Sequence, residues 1–501
     1  MRTSVTKAGW AARQLQRPAA GPVTFSAVRA SPGVCNNTSG ARSWSPPDVS
    51  CRRRHYSTTH VQTTTAPIPL FAFAFDIDGV LLHVNEPIPG AAAALRHLHG
   101  HGIPFILLTN GGGRYEADRV ADLERRLGLE LQVEAKDAAK NKNTLPVLST
   151  ENFVQSHTPF QELIEDVQSL DDHQGRTTPS VSPSSPPAGL RDQTILVTGS
   201  DAARARTIAE RYGFRSVVTP ADLLAAYPTL YPFDPLLASV YANTARPLPK
   251  PLLLEGGKQP AATASELDDR QHLRIAAAFV FNDPRDWALD IQLLTDLLQS
   301  RQGFLGTYDP EAVAHSHSHS PSRSMSPFTP PRIFFSNGDL LWATTYHLPR
   351  LGQGAFAAAV SGVWAQLAHG QEMVPHRATL LGKPNPATYR YAERVLLRYR
   401  DALLREIQHD KTPSHAAAVP QPLQTVYMVG DNPESDIAGA NQFRSAHGTD
   451  WCSVLVGTGV YNAARDGTSA EHLRHRPRVI VDDVGAAVRW ALQREGWPAD
   501  F

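Results

Sequence analysis

Cysteine, long apolar runs and a surplus of either charge are all scarce in this sequence. Three cysteines occur in 501 residues, Cys35, Cys51 and Cys452. Two of them fall in an arginine-rich N-terminal stretch, so the rest of the chain has one thiol. That excludes an intramolecular disulfide there and any cysteine-based metal site. Its setting, "WCSVLVGTG", reads as a buried strand rather than a catalytic thiol. No run of about 18 uncharged apolar residues exists, so no membrane-spanning helix is expected. Lys plus Arg and Asp plus Glu both total 48, and this balance gives no basic or acidic argument for a partner. Length is not limiting, since 501 residues allow two or three domains.

The even charge balance hides an uneven start. Residues 1–56 carry eight Arg and one Lys against a single acid, Asp48, among many Ser, Ala and Thr. An Arg-rich, Ser-rich, acid-poor segment fits an organelle transit peptide. Arg54-His55-Tyr56 followed by Ser57 resembles a mitochondrial presequence cleavage site, and the long apolar core of a secretory signal is missing. The expectation is a mitochondrial protein, of the matrix in particular, with residues 57–69 as a linker.

Four apolar runs read as strands: 70–75 (LFAFAF), 104–108 (PFILL), 425–429 (TVYMV) and 453–456 (SVLV). Within each pair, a helical pattern intervenes, "AAAALRHLHGHG" in one and "ESDIAGANQFRSAHG" in the other. Such alternation predicts an α/β fold with a doubly wound parallel sheet of Rossmann type. Further α/β signals lie between the two pairs, at 194–200, 214–220, 275–300 and 331–345. They predict a second α/β domain inserted into the first. The core would be 70–113 and 376–490, the insert 114–375 and the tail 491–501. Segments 176–192, 255–269, 315–331 and 409–422 are rich in Pro, Ser, His or Gly and read as surface insertions. The alternating His315, His317 and His319 read as a solvated loop rather than a metal site.

Polar signatures follow the apolar runs, where a doubly wound sheet places its ligands. After the first come Asp76 and Asp78. Residues two apart on an extended backbone point the same way, so these carboxylates converge, which is costly unless a cation joins them. After the second come Thr109-Asn110-Gly111-Gly112-Gly113, whose hydroxyl, amide and backbone N–H groups suit anionic oxygens. Lys383, in Gly382-Lys383-Pro384, precedes the helical pattern "ATYRYAERVLLRYR" and is aimed by it. After the third run come Asp431 and Asp436. Oxygen-rich ligation without clustered His suits a hard cation, Mg²⁺ above all.

"DIDGV", "TNGGG", "GKP" and "GDNPESD" resemble, in order, the four motifs of the haloacid dehalogenase (HAD) hydrolase superfamily. The long insert between the second and third is similar to the cap of its class IIA branch. "SHTPF", "ERYGFRSVVTP", "FNDPRDWALDIQLLTDLL", "SNGDLLWATTYHLPRLGQGAF" and "KPNPATYRYAE" resemble the mitochondrial subfamily related to the cat-eye-syndrome-critical-region protein. Together the resemblance covers about residues 70–490 apart from the insertions.

The resemblance implies a phosphatase in which Asp76 attacks phosphorus to form an aspartyl-phosphate. Asp78 would protonate the leaving oxygen and then activate water. Thr109 and Lys383 would hold the phosphoryl oxygens, with Asn110 and Gly111 as further substrate-binding positions. Mg²⁺ would sit between Asp76, Asp431 and the backbone carbonyl of Asp78, and Asp436 would orient Lys383 or a metal-bound water. In the insert, Asp283, Arg285, Asp286 and Arg350 read either as substrate contacts or as an internal salt-bridge network. Expected partners are a small-molecule or lipid phosphate ester, without nucleic acid, and with at most peripheral membrane association. Some fungal relatives are joined to a CDP-alcohol phosphatidyltransferase domain, which implies a glycerophospholipid-pathway substrate. The competing class is a non-catalytic mitochondrial binding or assembly protein on the same scaffold. A glycosyltransferase using D-x-D would leave "TNGGG" and "GKP" unexplained.

Overall fold

The computed structural model describes residues 68–130, 145–166, 169–170, 189–199, 202–255, 267–310, 330–342, 344–346, 348–369, 373, 377–409, 421–467 and 473–501. The expected transit peptide at 1–56, the linker up to residue 67 and the His315–His319 run lie outside them. In chain order the strands are β1 (Phe71–Phe75), β2 (Leu82–His83), β3 (Glu86–Pro87), β4 (Phe105–Leu108), β5 (Phe153–Val154), β6 (Thr194–Thr198), β7 (Ser216–Val218), β8 (Ala277–Val280), β9 (Arg332–Phe335), β10 (Leu341–Trp342), β11 (Arg350–Leu351), β12 (Ala378–Leu380), β13 (Thr425–Gly430), β14 (Asp450–Val456) and β15 (Val479–Val481).

Eleven of them build two all-parallel sheets within the unit Ala66–Phe501, while β2 with β3 and β10 with β11 form two-stranded antiparallel pairs. The core sheet has the order β15-β14-β13-β1-β4-β5 and the cap sheet β12-β9-β8-β6-β7. The fold is thus the α/β, Rossmann-like core with an inserted α/β cap that the alternation predicts. β1 shows why its run is apolar throughout. Phe71, Phe73 and Phe75 lie in one core layer with the helices Ala91–Gly100 and Val484–Glu495. Ala72 and Ala74 face the opposite layer, where Tyr389, Ala392 and Leu396 of the helix Pro386–His409 pack. A strand buried on both faces has no polar positions to alternate. Its bulky rings on one side and methyl groups on the other set how closely each helix layer approaches.

The sheets exchange partners at places the apolar runs do not mark. β5 pairs with β4, so the chain remains in the core sheet to Val154 rather than leaving it at 113. β12 pairs with β9, so the chain remains in the cap sheet to Leu380 rather than rejoining the core at 376. Both are edge strands of two or three residues, too short to show a period. Residues 491–501 are no free tail: Trp497 and Phe501 pack against the core, and Trp497 meets the Phe71 ring edge-on at 5.6 Å. In place of one helix, "ESDIAGANQFRSAHG" starts within a π turn, Pro433–Ile437, and continues as a short helix that ends at Gln442. Cys452 is buried in β14, and burial pushes its thiol up to about 11. No helix among the described residues is long and apolar enough to cross a membrane.

Candidate active site

Asp76 directly follows β1 and still belongs to its ladder, its N–H donating to Val429 O at 2.9 Å. The chain then turns tightly, with the N–H groups of Leu81 and Leu82 both donating to Ile77 O at 2.9 Å. Gly79 makes the turn at φ +91°, and a Cβ there would fall 2.4 Å from Asp431 Oδ2. Only glycine allows both that backbone and that approach. Asp431 ends β13 and is seated by the Val460 N–H, which donates to its Oδ2 at 2.5 Å. Asp436 lies in the π turn, its Oδ2 accepting from Asn432 N at 3.0 Å.

These elements bring ligand atoms of Asp76, Asp431 and Asp436 within 4.8 Å of one another, all buried. Lys383 Nζ lies 2.8 Å from Asp76 Oδ1 and 2.7 Å from Asp436 Oδ1, and the lysine is 1% exposed. It stands where the chain crosses from β12 to the helix Pro386–His409. Its backbone is clamped by Asn110, whose Oδ1 accepts from Lys383 N at 2.7 Å and whose Nδ2 donates to Lys383 O at 2.9 Å. Burial alone would lower the Lys383 pKa, but the Asp436 and Asp76 charges more than reverse this and raise it. Burial, then the charges of Asp76 and Asp436, push Asp431 well up. Burial also raises Asp436, against the pull of Lys383. One lysine therefore stands among three buried carboxylates. The donors are all oxygen, and the surplus negative charge suits a small hard cation.

The sequence-predicted residues divide. Asp76, Asp78, Thr109, Asn110, Gly111, Lys383 and Asp431 line one cavity of about 590 Å³ between core and cap. Asp78 does not join the carboxylate group: the turn swings its side chain, about half exposed, toward Arg119, 3.9 Å away. Crowding by the cavity walls raises its pKa, Asp76 adds to this, and Arg119 opposes it. Asn110 lines the cavity, but its amide is engaged with Lys383, which makes it a positioning residue. The Gly111 N–H donates to Thr109 Oγ1 at 3.0 Å instead of standing free for an anion.

Two of the four cap candidates reach the cavity, Asp283 and Arg285. Asp286 instead caps the helix Trp287–Gln299 and accepts from Leu236 N at 2.7 Å. An Asp preceding a helix is a common N-cap, and that signal was present in "NDPRDWALD". Arg350 lies exposed on β11, over the Tyr346 ring at 4.5 Å. The sequence pattern missed Asp339, a cap residue in "SNGD" that lines the cavity. Burial pushes its carboxyl up to about 7, against Lys383 and a hydrogen bond from Asn110.

It also missed a buried chain that ties the glycine loop to the cap. The Gly113 N–H donates to His157 Nε2 at 3.2 Å, and His157 Nδ1 meets the Tyr212 hydroxyl at 2.7 Å. That hydroxyl donates to Glu116 Oε1, which also accepts from Thr158 Oγ1 at 2.8 Å. The partners require a neutral imidazole protonated on Nδ1. Burial pulls the His157 pKa down to about 4, against the charge of Glu116. In the unfolded chain it titrates near 6.5. Between these values the unfolded state binds the extra proton, so stability must fall as pH drops from about 6.5 to about 4. The full span is worth about 3 kcal/mol. We expect His157→Gln to flatten the denaturation midpoint over that window, and an unchanged slope would remove His157 as its cause.

The chain is similar to known proteins along most of its length. A haloacid dehalogenase-like hydrolase model matches residues 73–215, and a HAD-hydrolase-like model matches residues 380–487. A mitochondrial hydrolase of Saccharomyces cerevisiae is 33% identical over 86% of this chain and 97% of its own. A cardiolipin synthase (CMP-forming)/mitochondrial hydrolase fusion protein of Schizosaccharomyces pombe is 31% identical over 87% of this chain and 55% of its own. Among solved structures, a possible sugar phosphatase of the HAD superfamily from Cytophaga hutchinsonii aligns with TM-score 0.44 and 14% identity, over 84% of this chain and 95% of that one.

Proposed function

Because this chain belongs to the haloacid dehalogenase-like hydrolases, we propose that it is a Mg²⁺-dependent phosphatase acting through an aspartyl-phosphate on Asp76. The observation that carries this is the lysine bridging Asp76 and Asp436 beside a third buried carboxylate. Phosphoryl transfer is chiefly a matter of positioning and charge compensation, and that is what the cluster provides.

Asp76 and Asp431 would hold the cation, together with the Asp78 backbone carbonyl. When bound, it supplies positive charge to the phosphoryl oxygens and removes the surplus negative charge of the carboxylates. An Asp76 carboxylate oxygen attacks phosphorus as the ester oxygen leaves. Asp78 donates a proton to that oxygen, then takes one from the water that cleaves the aspartyl-phosphate. Lys383 and the Thr109 hydroxyl hold phosphoryl oxygens, and Asp436 keeps Lys383 aimed.

For the substrate we propose a phosphate ester of the glycerophospholipid pathway. The support is the fission-yeast relative's fusion to cardiolipin synthase and the cavity rim itself. Leu341 and Trp342 line the cavity on a hairpin that also exposes Leu340, Leu348 and Leu351. For the location we propose the mitochondrial matrix, supported by the composition of residues 1–56 and by the name of the budding-yeast relative.

The test is phosphate release from sugar, glycerol, nucleotide and lipid phosphates. We expect chelation to remove activity to background and Mg²⁺ to restore it. Activity indifferent to chelation would defeat the metal assignment, and sugar phosphates outrunning every glycerol and lipid phosphate would defeat the substrate assignment.

A further inference from the structure

The core wall of the cavity carries more positive charge than the reaction described above uses. Arg114, Arg119 and Arg126 all line it. Arg119, Asp122 and Arg126 share one face of the helix Glu116–Leu127, at i, i+3 and i+7. Asp122 is buried and gathers four guanidinium groups: Arg114 at 3.2 Å, Arg119 at 3.5 Å, Arg125 at 3.0 Å and Arg126 at 3.0 Å. Asp122 and, 3.9 Å from Arg119, Asp78 offset two of these four charges, so a net positive surface remains, and three of its four sources border the cavity. Arg119 and Arg126 are half-buried and Arg114 is more exposed, and like charges held this close favour an anion beside them. On the cap side, Arg285 also reaches the cavity, next to Asp283, while Asp339 lies against Lys383 and Asn110.

The position of this wall relative to the chemistry says which part of a substrate it would meet. The phosphoryl group belongs at Asp76, Thr109 and Lys383, and the ester oxygen at Asp78. The alcohol must therefore continue past Asp78, and the first group there is Arg119, 3.9 Å from the Asp78 carboxylate. Arg126 and Arg114 follow on the same wall. A cavity of about 590 Å³ holds much more than one phosphate group.

We propose that the arginine wall is a specificity subsite for a second anionic group on the leaving alcohol, so that the preferred substrate is a phosphate monoester also bearing a carboxylate or a phosphodiester. The subsite deepens the phosphatase reading and rests on it for the orientation of the ester. It takes no part in bond cleavage. Its contribution is to affinity and to the choice among leaving groups.

The test compares three esters with the full-length protein and Mg²⁺. Glycerol 3-phosphate has a neutral leaving alcohol, 3-phosphoglycerate has the same carbon skeleton with a carboxylate, and a glycerophosphodiester ending in a phosphate monoester has the diester anion. We expect the anionic pair to exceed glycerol 3-phosphate in kcat/KM by about tenfold, mainly through KM and with a dependence on ionic strength. Whichever of the two leads identifies the source of the anion. Arg126→Gln should bring the preference close to unity, whereas Arg126→Lys should keep most of it. Equal kcat/KM for all three esters in the wild type would overturn the subsite. So would an unaltered preference in a folded Arg126→Gln protein.

Calorimetric binding of the same esters to an Asp76→Asn protein supplies a readout free of turnover. Tighter binding of the anionic pair supports the subsite even if no ester is hydrolysed, in which case the phosphatase reading alone fails. Equal binding overturns the subsite whatever the turnover.

Discussion

Asp76→Asn is expected to lower phosphate-ester turnover by roughly 10⁴-fold or more, the scale on which losing a covalent nucleophile acts. Only the oxygen that attacks phosphorus is changed. The Asp76 N–H still donates to Val429 O, so the β1 ladder is untouched. The amide has the carboxylate's shape, and its oxygen can still accept from Lys383, which also keeps Asp436 at 2.7 Å. Two buried carboxylates rather than three then surround one lysine, so the metal-free variant should unfold at a midpoint no lower than the wild type. Those two readings together separate a chemical defect from a folding defect. Activity surviving within tenfold would refute the aspartyl-phosphate. A variant that is inactive in vitro yet restores a null strain would move the assignment to the non-catalytic scaffold.

The residues that were legible in the sequence share one property: each follows directly from a local pattern. Asp76, Thr109 and Asp431 each end a strand whose apolar run is readable, and Lys383 precedes a helix whose period is readable. Strand order at the sheet then brings them together, as the topology of doubly wound folds requires. What was not legible depends on contacts between segments far apart in the chain. β5 and β12 have two and three residues, and only pairing with β4 and β9 assigns them to a sheet. His157 and Tyr212 are 55 positions apart, and nothing local marks the histidine as neutral and buried. Asp339 is one charge in a turn until the cap places it beside Lys383. The expectation that the Asp76 and Asp78 carboxylates converge failed for a nearer reason. The period-two rule holds on an extended strand, and the strand stops at Phe75, so the turn at Gly79 re-aims the second carboxylate.

Lys383→Met should affect both rate and stability, and Mg²⁺ should separate the two. Methionine has nearly the length of lysine without its charge, so the variant empties the site of its cation while filling most of its volume. Lys383 is buried between Asp76 and Asp436, whose charges hold its pKa above the ordinary lysine value. Its stabilising contribution is therefore complete below about pH 10 and is lost only as pH rises through the folded-state value. At neutral pH, removing one partner of a buried ion pair costs about 3–5 kcal/mol, because the charges left behind are uncompensated. The urea midpoint of the metal-free variant should fall accordingly. Any cation held by the same carboxylates stabilises the folded state by mass action, so Mg²⁺ should raise the variant's midpoint more than the wild type's. The rate should not recover with it. A phosphoryl oxygen would still lack the lysine, and losing one pre-aimed charge of this kind costs roughly 10²–10³ in kcat. Recovery of the midpoint with Mg²⁺ but not of kcat would place Lys383 at the phosphoryl group. Recovery of both would reduce it to a structural counter-ion for Asp76 and Asp436.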